Sequence, residues 1–226
     1  MSTMKLEPKT LTVLKNFSSI NPSLMFREGS VVTTMSPTKS VLARARIGQS
    51  FEKQFAIYDL SRFLGVISLF DNPDLELNES SVTIRKEDRE LDYRYADPST
   101  IVMPPDKNVV LPSEDVKFKL TTATLNDLQR ALSALSMPEI AVVGDSKKMW
   151  IQVIDVKNML GDSYKISLGD TDKKFRFVFK AENLKFIPQD YEVTITSKLM
   201  SHFKGTEVVD IDYWVAPEKK PSSFEG

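Results

Sequence analysis

The sequence predicts an α+β protein of two like domains, each with two short helices packed on antiparallel sheets. Three observations predict this class. Most apolar residues alternate with polar ones at the period of two that is typical of strands, whereas four segments repeat them at helical spacing. The order of one helix, four strands, one short helix and three strands occurs twice, with helix starts about 114 residues apart. A proline-rich stretch separates the two copies.

The first domain opens with an amphipathic helix, which ends at Asn21-Pro22 because a proline disfavours helical conformation in the residue before it. Alternating runs then predict four strands, a second helix at 60–69 and three further strands. The apolar side of the first helix comprises Leu11, Val13, Leu14, Phe17 and Ile20. The strands are predicted at about 24–28, 31–35, 40–46, 53–59, 75–77, 82–85 and 91–95.

The second helix follows directly from a strand, with Asp59 between them. A carboxylate at this point can accept backbone N–H groups of the first turn, so we expect Asp59 to be the N-cap. Leu60, Phe63 and Ile67 recur at helical spacing and form one apolar face. The opposite side carries Arg62 and small residues, with no carboxylate.

A proline-rich stretch at 97–113 holds four of the chain's 12 prolines. Proline fixes φ and cannot donate to a strand ladder, so the stretch is predicted to be an extended connector. The predicted division is therefore a domain at 1–96, the connector at 97–113, a domain at 114–216 and a tail at 217–226.

The second domain repeats the order, beginning with a strand at Val116–Leu120. Residues Thr121–Thr124 form a capping run before a helix at Leu125–Leu135, and Asp127, three residues after Thr124, makes a partial capping box. A second short helix is predicted at 181–187, stopped by Pro188. The remaining strands are predicted at about 139–143, 148–154, 163–168, 174–180, 191–196, 199–203 and 208–215.

Composition limits the chemistry of the chain. Thirty basic and 31 acidic residues leave a net charge of -1, so any nucleic-acid binding must come from where the cations lie. The absence of cysteine excludes disulfides and thiol catalysis, and His202, the only histidine, cannot form a triad alone. The N-terminal residues lack the apolar core of a signal peptide and no apolar run spans a bilayer, so we expect a cytosolic protein.

The outer sides of the four predicted helices are polar, and each carries a cation. Any one of these is most simply a surface residue, and Asp127 and Glu182 are acidic counter-examples on two of the helices. Four helices with the same tendency in a net-acidic chain nevertheless favour a basic surface. The cations are Lys15, Arg62, Arg130 and Lys185.

Four segments carry a family resemblance: Val13–Phe17, Ala56–Leu69, Ala96–Thr100 and Tyr164–Asp170. In this order they resemble the T-even-type bacteriophage sliding clamps, the processivity factors of DNA polymerase. The resemblance implies two sliding-clamp domains assembled with two further copies as a homotrimeric ring, with helices lining the hole and sheets outside.

On this resemblance the four cations face duplex DNA, which the ring encircles without sequence preference. It also implies that the chain tethers the replicative DNA polymerase, is loaded by an ATP-dependent clamp loader and works in the cytoplasm of the infected host cell. It implies no cofactor, metal or enzymatic activity.

Ring closure requires strand edges that meet between subunits. The resemblance indicates Leu91–Tyr95 of one subunit and Tyr164–Leu168 of the next, and the alternative is that both are ordinary edge strands protected by charge. The predicted interface residues are Leu91, Tyr93, Tyr95, Tyr164, Ile166 and Leu168.

Sliding clamps dock short peptides of their partners in an apolar pocket beneath the connector. Here Val110 and Leu111 of the connector, with Tyr213 and Val215 of the last strand, are the predicted lining. The alternative is that these residues simply hold the connector against the second domain.

Two other functions stay open at this stage. One is a monomeric α+β protein-interaction module or assembly factor that docks partners on the apolar connector. The other is a metal-dependent phosphodiesterase using Asp170 with Asp172 or Asp210 with Asp212, although solvated turns and strand faces explain these carboxylates better. The mass in solution separates the ring from the monomeric module.

Overall fold

The computed structural model describes residues 3–105, 108–158 and 160–226. Within these ranges it has three α-helices, none of them long and apolar enough to cross a membrane. The helices are α1 Pro8–Ser18, α2 Leu60–Ile67 and α3 Thr122–Leu135. The strands are β1 Thr3–Met4, β2 Leu24–Phe26, β3 Gly29–Met35, β4 Val41–Phe51, β5 Phe55–Ile57, β6 Asp74–Leu77, β7 Ser81–Lys86, β8 Arg89–Arg94, β9 Val116–Leu120, β10 Glu139–Asp145, β11 Lys148–Ile154, β12 Tyr164–Asp170, β13 Lys174–Lys180, β14 Tyr191–Thr196, β15 Met200–Gly205, β16 Asp210–Val215 and β17 Ser223–Phe224.

The chain divides into two compact units. The first comprises residues 1–106 and 208–211, and the second comprises residues 107–207 and 212–226. The division point at 106/107 falls inside the predicted connector, whose first part belongs to the first unit. The finer predicted limits, with separate connector and tail, stay a prediction.

The first unit buries α1 and α2 against antiparallel strands. Its largest sheet has the order β1-β6-β7-β8, and β2 with β5 and β3 with β4 form further antiparallel pairs. Phe17 of α1 and Phe63 of α2 are among the largest fully buried side chains. The start of the connector also packs here, where Ile101 joins a small apolar cluster with Met25 and Ala56.

The second unit contains a five-stranded sheet of order β12-β11-β10-β13-β17. Strands β9, β14, β15 and β16 lie side by side in a second sheet, in the order β9-β14-β15-β16. The aromatic side chains Phe177, Phe179 and Tyr191 are fully buried between these elements and form the centre of the core. Phe175, Phe177 and Phe179 alternate along β13, and each is at most 2% exposed.

Two predicted helix features are wrong. The segment 181–187 contains only a 3-10 turn at Ala181–Asn183 instead of a helix. Leu184, Phe186 and Ile187 are all buried, and an irregular segment can bury residues that a helix would point in different directions. In the part of the chain that the structure describes, the second unit therefore has one α-helix, and the fold is three helices on antiparallel sheets.

The helix α3 begins about one turn before its predicted start. Its N-cap is Thr121, whose hydroxyl accepts the N–H of Thr124 at 3.1 Å. Asp127 does not close a capping box but forms an ion pair with Arg130 three residues along the helix. Because Thr121, Thr122 and Thr124 stand so close together, residue type alone does not distinguish the true cap from its neighbours.

Candidate nucleic-acid and subunit interfaces

The helix α2 places Arg62 on an exposed surface for a simple local reason. The Asp59 carboxylate accepts the N–H of Arg62 at 2.8 Å, which confirms Asp59 as the N-cap and starts the helix at Leu60. The apolar face, with Leu60 and Phe63, is buried in the first unit. The Arg62 side chain consequently points away from the core, as the sequence predicted.

The helix α1 exposes Lys15 in the same way. Pro8 occupies its first position, where the missing N–H costs nothing, and Val13, Leu14 and Phe17 are buried without any exposed surface. Lys15 is exposed in the last turn, where a cation interacts favourably with the helix dipole. The helices α1 and α2 contact each other, and each of them presents an exposed cation.

The second unit contributes two of the four predicted cations, and these two differ in their surroundings. Arg130 is exposed on α3 but forms an ion pair with Asp127, which reduces the positive charge that it offers to a phosphate. Lys185 is exposed, but it follows the 3-10 turn and is not on a helix, contrary to the prediction. Contact of these four cations with DNA stays a prediction.

Strand β8 forms an edge of its sheet, because within the described residues it pairs only with β7. Leu91, Tyr93 and Tyr95 alternate with exposed residues and are half-buried. Beside β8 and α2 lies an open groove of about 430 Å³, lined also by Tyr58 and Val66. The groove is a surface that a second protein segment could fill.

The two tyrosines at this edge also serve their own chain. Tyr93 packs edge-on against Phe63 at 5.1 Å, and its hydroxyl donates to the Asp59 carbonyl at 3.2 Å. Tyr95 stacks on Phe55 at 5.0 Å, and burial raises the pKa of its hydroxyl to about 12. A change at Tyr93 would therefore disturb the first unit as well as the predicted interface.

Strand β12 is the corresponding edge of the second unit, because it pairs only with β11 among the described residues. Ile166 and Leu168 are half-buried on one face, and Tyr164 is 39% exposed at its start. On the other face the Lys165 ammonium lies 3.4 Å from the centre of the Trp150 ring, a cation–π contact. Both predicted interface segments are thus edge strands.

Two of the four residues predicted to line the partner pocket are buried in the second unit. Tyr213 is fully buried and Val215 is 1% exposed, so neither presents a surface to a peptide. Tyr213 instead accepts the N–H of Ile187 through its hydroxyl at 3.2 Å, deep in the second unit. Val110 is 80% exposed, and Leu111 is partly exposed, so only these two stay candidates.

In each carboxylate pair considered for metal binding, at least one carboxylate already contacts a basic side chain. Asp170 pairs with Lys148, and Asp210 lies 3.8 Å from Arg46. Asp212 lies 2.7 Å from the Nε2 atom of His202. These contacts link neighbouring strands, and among the described residues no group of three or more His, Cys, Asp and Glu side chains is placed to hold a metal ion.

The comparisons with known proteins agree with the resemblance. The family model described as DNA polymerase processivity factor matches residues 5–103, and the model described as gp45 sliding clamp, C terminal, matches residues 117–219. The sliding clamp of Vibrio phage KVP40 is 31% identical over 95% of this chain and 99% of its own length.

The chain belongs to the sliding-clamp family.

The sliding clamp of Enterobacteria phage T4 is also 31% identical, over 86% of this chain and 88% of its own. Solved clamps share the fold at low identity. The proliferating cellular nuclear antigen of Entamoeba histolytica has a TM-score of 0.70 at 12% identity and covers 96% of this chain and 98% of its own. A. fulgidus PCNA, solved with the C-terminal region of FEN-1 bound, has a TM-score of 0.71 at 14% identity, covering 97% and 99%.

The chain is therefore a sliding clamp, a processivity factor of DNA polymerase, as the sequence predicted. Sequence reasoning missed some surface residues of this clamp. Tyr58 is 67% exposed and Leu160 is fully exposed, and both are large apolar residues outside the buried faces. Leu160 could have been noticed as a large apolar residue in the loop before β12. Tyr58 falls in the strand predicted at 53–59, and a large aromatic residue in a strand pattern does not by itself indicate whether its side chain is buried or exposed.

Proposed function

We propose that this sliding clamp is a homotrimeric ring that encircles duplex DNA and moves along it without sequence preference. The observation that carries the proposal is the pair of edge strands, β8 and β12, one in each unit of the same chain. Two different edges on one chain join copies head to tail, and such a contact closes into a ring when the rotation allows it.

The interface that we propose places β8 of one subunit beside β12 of the next. A strand of six residues offers about 20 Å of edge at about 3.3 Å per residue. Leu91, Ile166 and Leu168 are half-buried in the single chain, so pairing would remove their remaining apolar surface from water. The groove beside β8, lined by Tyr58 and Val66, supplies further contact area.

We propose that the cations Lys15, Arg62, Arg130 and Lys185 face the enclosed duplex. Non-specific binding to phosphates has dissociation constants of roughly 10⁻⁴–10⁻⁶ M at physiological salt, which is too weak to hold a polymerase in place for long. Many tighter ion pairs would hinder movement along the duplex. Enclosure removes this conflict, because a closed ring stays on DNA while its contacts remain few and weak.

The partners follow from this role. We propose that the replicative DNA polymerase binds the clamp, with Val110 and Leu111 as exposed apolar contacts, and that an ATP-dependent loader opens it in the cytoplasm of the infected host cell. The chain has no Gly-rich phosphate-binding motif of its own, which supports a separate loader. Its role is that of a tether and not that of a catalyst.

Mass in solution tests the assembly. At micromolar concentration, size-exclusion chromatography with light scattering should give three times 25.6 kDa for the wild type. Ile166→Asp should give monomers, because it places a charge in the proposed interface. Ser167→Asp on the opposite, exposed face of β12 is the matched control and should stay trimeric. Ile166 is a better target than Tyr93, whose contact with Phe63 belongs to the fold of its own chain.

Retention on DNA tests the enclosure. After loading, the wild type should remain on circular duplex DNA and leave linear DNA through its ends. A wild-type mass of one subunit would contradict the proposed ring, and a trimeric Ile166→Asp variant with unchanged retention would contradict the proposed interface.

A further inference from the structure

The tail (residues 217–226) lies along the outer edge of β13, the strand that would otherwise end its sheet. Its strand β17 forms an antiparallel ladder of two residue pairs with β13. The N–H of Glu218 donates to the Val178 carbonyl at 2.7 Å, and the N–H of Val178 donates to the Ser222 hydroxyl at 3.0 Å. The tail therefore occupies this edge as an added strand would.

The contacts that hold the tail are a short ladder, several hydrogen bonds and two exposed ion pairs. Only two of its residues belong to a strand, and the turn between the two contact points carries Lys219 and Lys220 into solvent. Phe224 is half-buried, with its ring 6.2 Å from that of Phe177, and Pro217 is buried. Because ordering a residue costs conformational entropy and these contacts lie only on either side of an exposed turn, we expect the tail to open more readily than the central strands of its sheet.

The charged side chains of the tail are only partly complementary to the cations along the edge of β13. Glu225 lies 2.8 Å from Lys174 at one end of β13, and Glu218 lies 4.0 Å from Lys180 at the other. Between these two acidic contacts the tail carries Lys219 and Lys220, which have the same sign as the strand's own cations. A segment with acidic residues at those two places would meet a more favourable field.

We propose that the edge of β13 is a strand-addition site for an extended acidic segment of a partner protein, and that the tail occupies this site until the partner displaces it. Backbone groups of Lys174 and Val178 would bond to the incoming strand, as they now bond to the tail. One aromatic residue of the segment would take the place of Phe224 against Phe177. The site uses only residues of the second unit, so it does not depend on ring formation.

Fluorescence anisotropy with two labelled peptides tests this site on the full chain. One peptide has the tail sequence Pro-Glu-Lys-Lys-Pro-Ser-Ser-Phe-Glu-Gly, and the other has glutamate in place of both lysines. The acidic peptide should bind about fivefold more tightly at low salt, since it gains attraction and loses repulsion. Phe224→Ala in the protein should raise the apparent affinity for both peptides about threefold, because the open site is then more populated.

Charge reversals on the protein locate the binding site. Lys174→Glu and Lys180→Glu should each weaken binding of the acidic peptide. Lys198→Glu, the same charge change in the exposed turn after β14, is the matched control and should leave it unchanged. Circular dichroism of each variant checks that the fold is intact. An acidic peptide with alanine in place of its phenylalanine should bind more weakly than the parent.

Three results would overturn the proposal. One is the absence of saturable binding to both the wild type and Phe224→Ala up to peptide concentrations on the order of 1 mM. Another is an equal loss of acidic-peptide binding in Lys198→Glu, which would show that the net charge of the protein, and not the edge of β13, causes the effect. The last is growth of the protein beyond three subunits with concentration but without peptide binding, which would assign the edge to the tail of a second copy.

Discussion

Asp190 illustrates how one side chain connects distant parts of the second unit. Its carboxylate lies 2.7 Å from the Lys119 ammonium on β9 and accepts both the N–H and the hydroxyl of Thr122, at 2.7 and 2.8 Å. The bond from Lys119, followed by those from Thr122, lowers the pKa of Asp190 to about 2. These partners lie far from Asp190 in sequence, so no local pattern indicated the role.

We predict that Asp190→Asn lowers the free energy of unfolding at pH 7. The folded-state pKa of about 2 lies below the value of about 3.9 expected in the unfolded chain, so the ionised carboxylate stabilises the fold above about pH 4. This contribution is lost as pH falls from about 4 to about 2, so the two proteins should converge there. Urea titrations across this range provide the measurement.

The control for this change is Asp71→Asn, in an exposed turn of the first unit. It should leave stability at pH 7 within error of the wild type. A constant difference between Asp190→Asn and the wild type down to pH 2 would show that the ionised carboxylate is not the cause.

At the scale of elements, local patterns predicted most of the strands and the three α-helices. Strands β9, β11, β13 and β14 have the predicted bounds, because alternation over five to seven residues is a strong local signal. The prediction of a helix at 181–187 is wrong for a physical reason. The large apolar residues of this segment, Leu184, Phe186 and Ile187, are all buried, and the tertiary core buries them along an irregular segment rather than on a helical face.

The N-cap of α3 yields a prediction at this scale. Thr121→Ala removes the hydroxyl that accepts the N–H of Thr124, and we expect it to lower the free energy of unfolding by about 1 kcal/mol. Ser133→Ala removes an exposed hydroxyl from the same helix but keeps the cap, and it should change stability by less than about 0.5 kcal/mol. Urea denaturation of both variants measures the difference, and equal losses would refute the assignment of Thr121.

At the scale of the whole molecule, the proposed ring would explain how a net-acidic chain can act on DNA. A chain with net charge -1 is a poor polyanion binder, yet its helices expose Lys15, Arg62 and Arg130. In the proposed ring, three copies repeat these cations around the duplex. Enclosure would then set how long the ring stays on DNA. The cations would need only to keep the duplex near the centre of the hole rather than against one wall.

We predict that Lys15→Ala with Arg62→Ala separates direct contact from enclosure. Binding of the unloaded protein to linear DNA should depend less steeply on salt, with the slope of log K against log[salt] reduced by about 0.9 for each phosphate that the protein no longer neutralises. Retention of the loaded ring on circular DNA should be unchanged. Lys157→Ala with Lys198→Ala, at two exposed turns, is the control and should alter neither quantity. Failure of the double variant to stay on circular DNA would show that direct contacts hold the clamp.

The sequence by itself determined the α+β class, the repeated order of elements and the sliding-clamp family, because periodicity, prolines and short motifs act within a few neighbouring residues. Only the tertiary structure decided which residues remain accessible. It buries Tyr213, turns Tyr93 onto Phe63, and brings Ser222 of the tail to Val178, 44 residues earlier. Such contacts depend on which strands become neighbours in a sheet, and no local pattern carries that information.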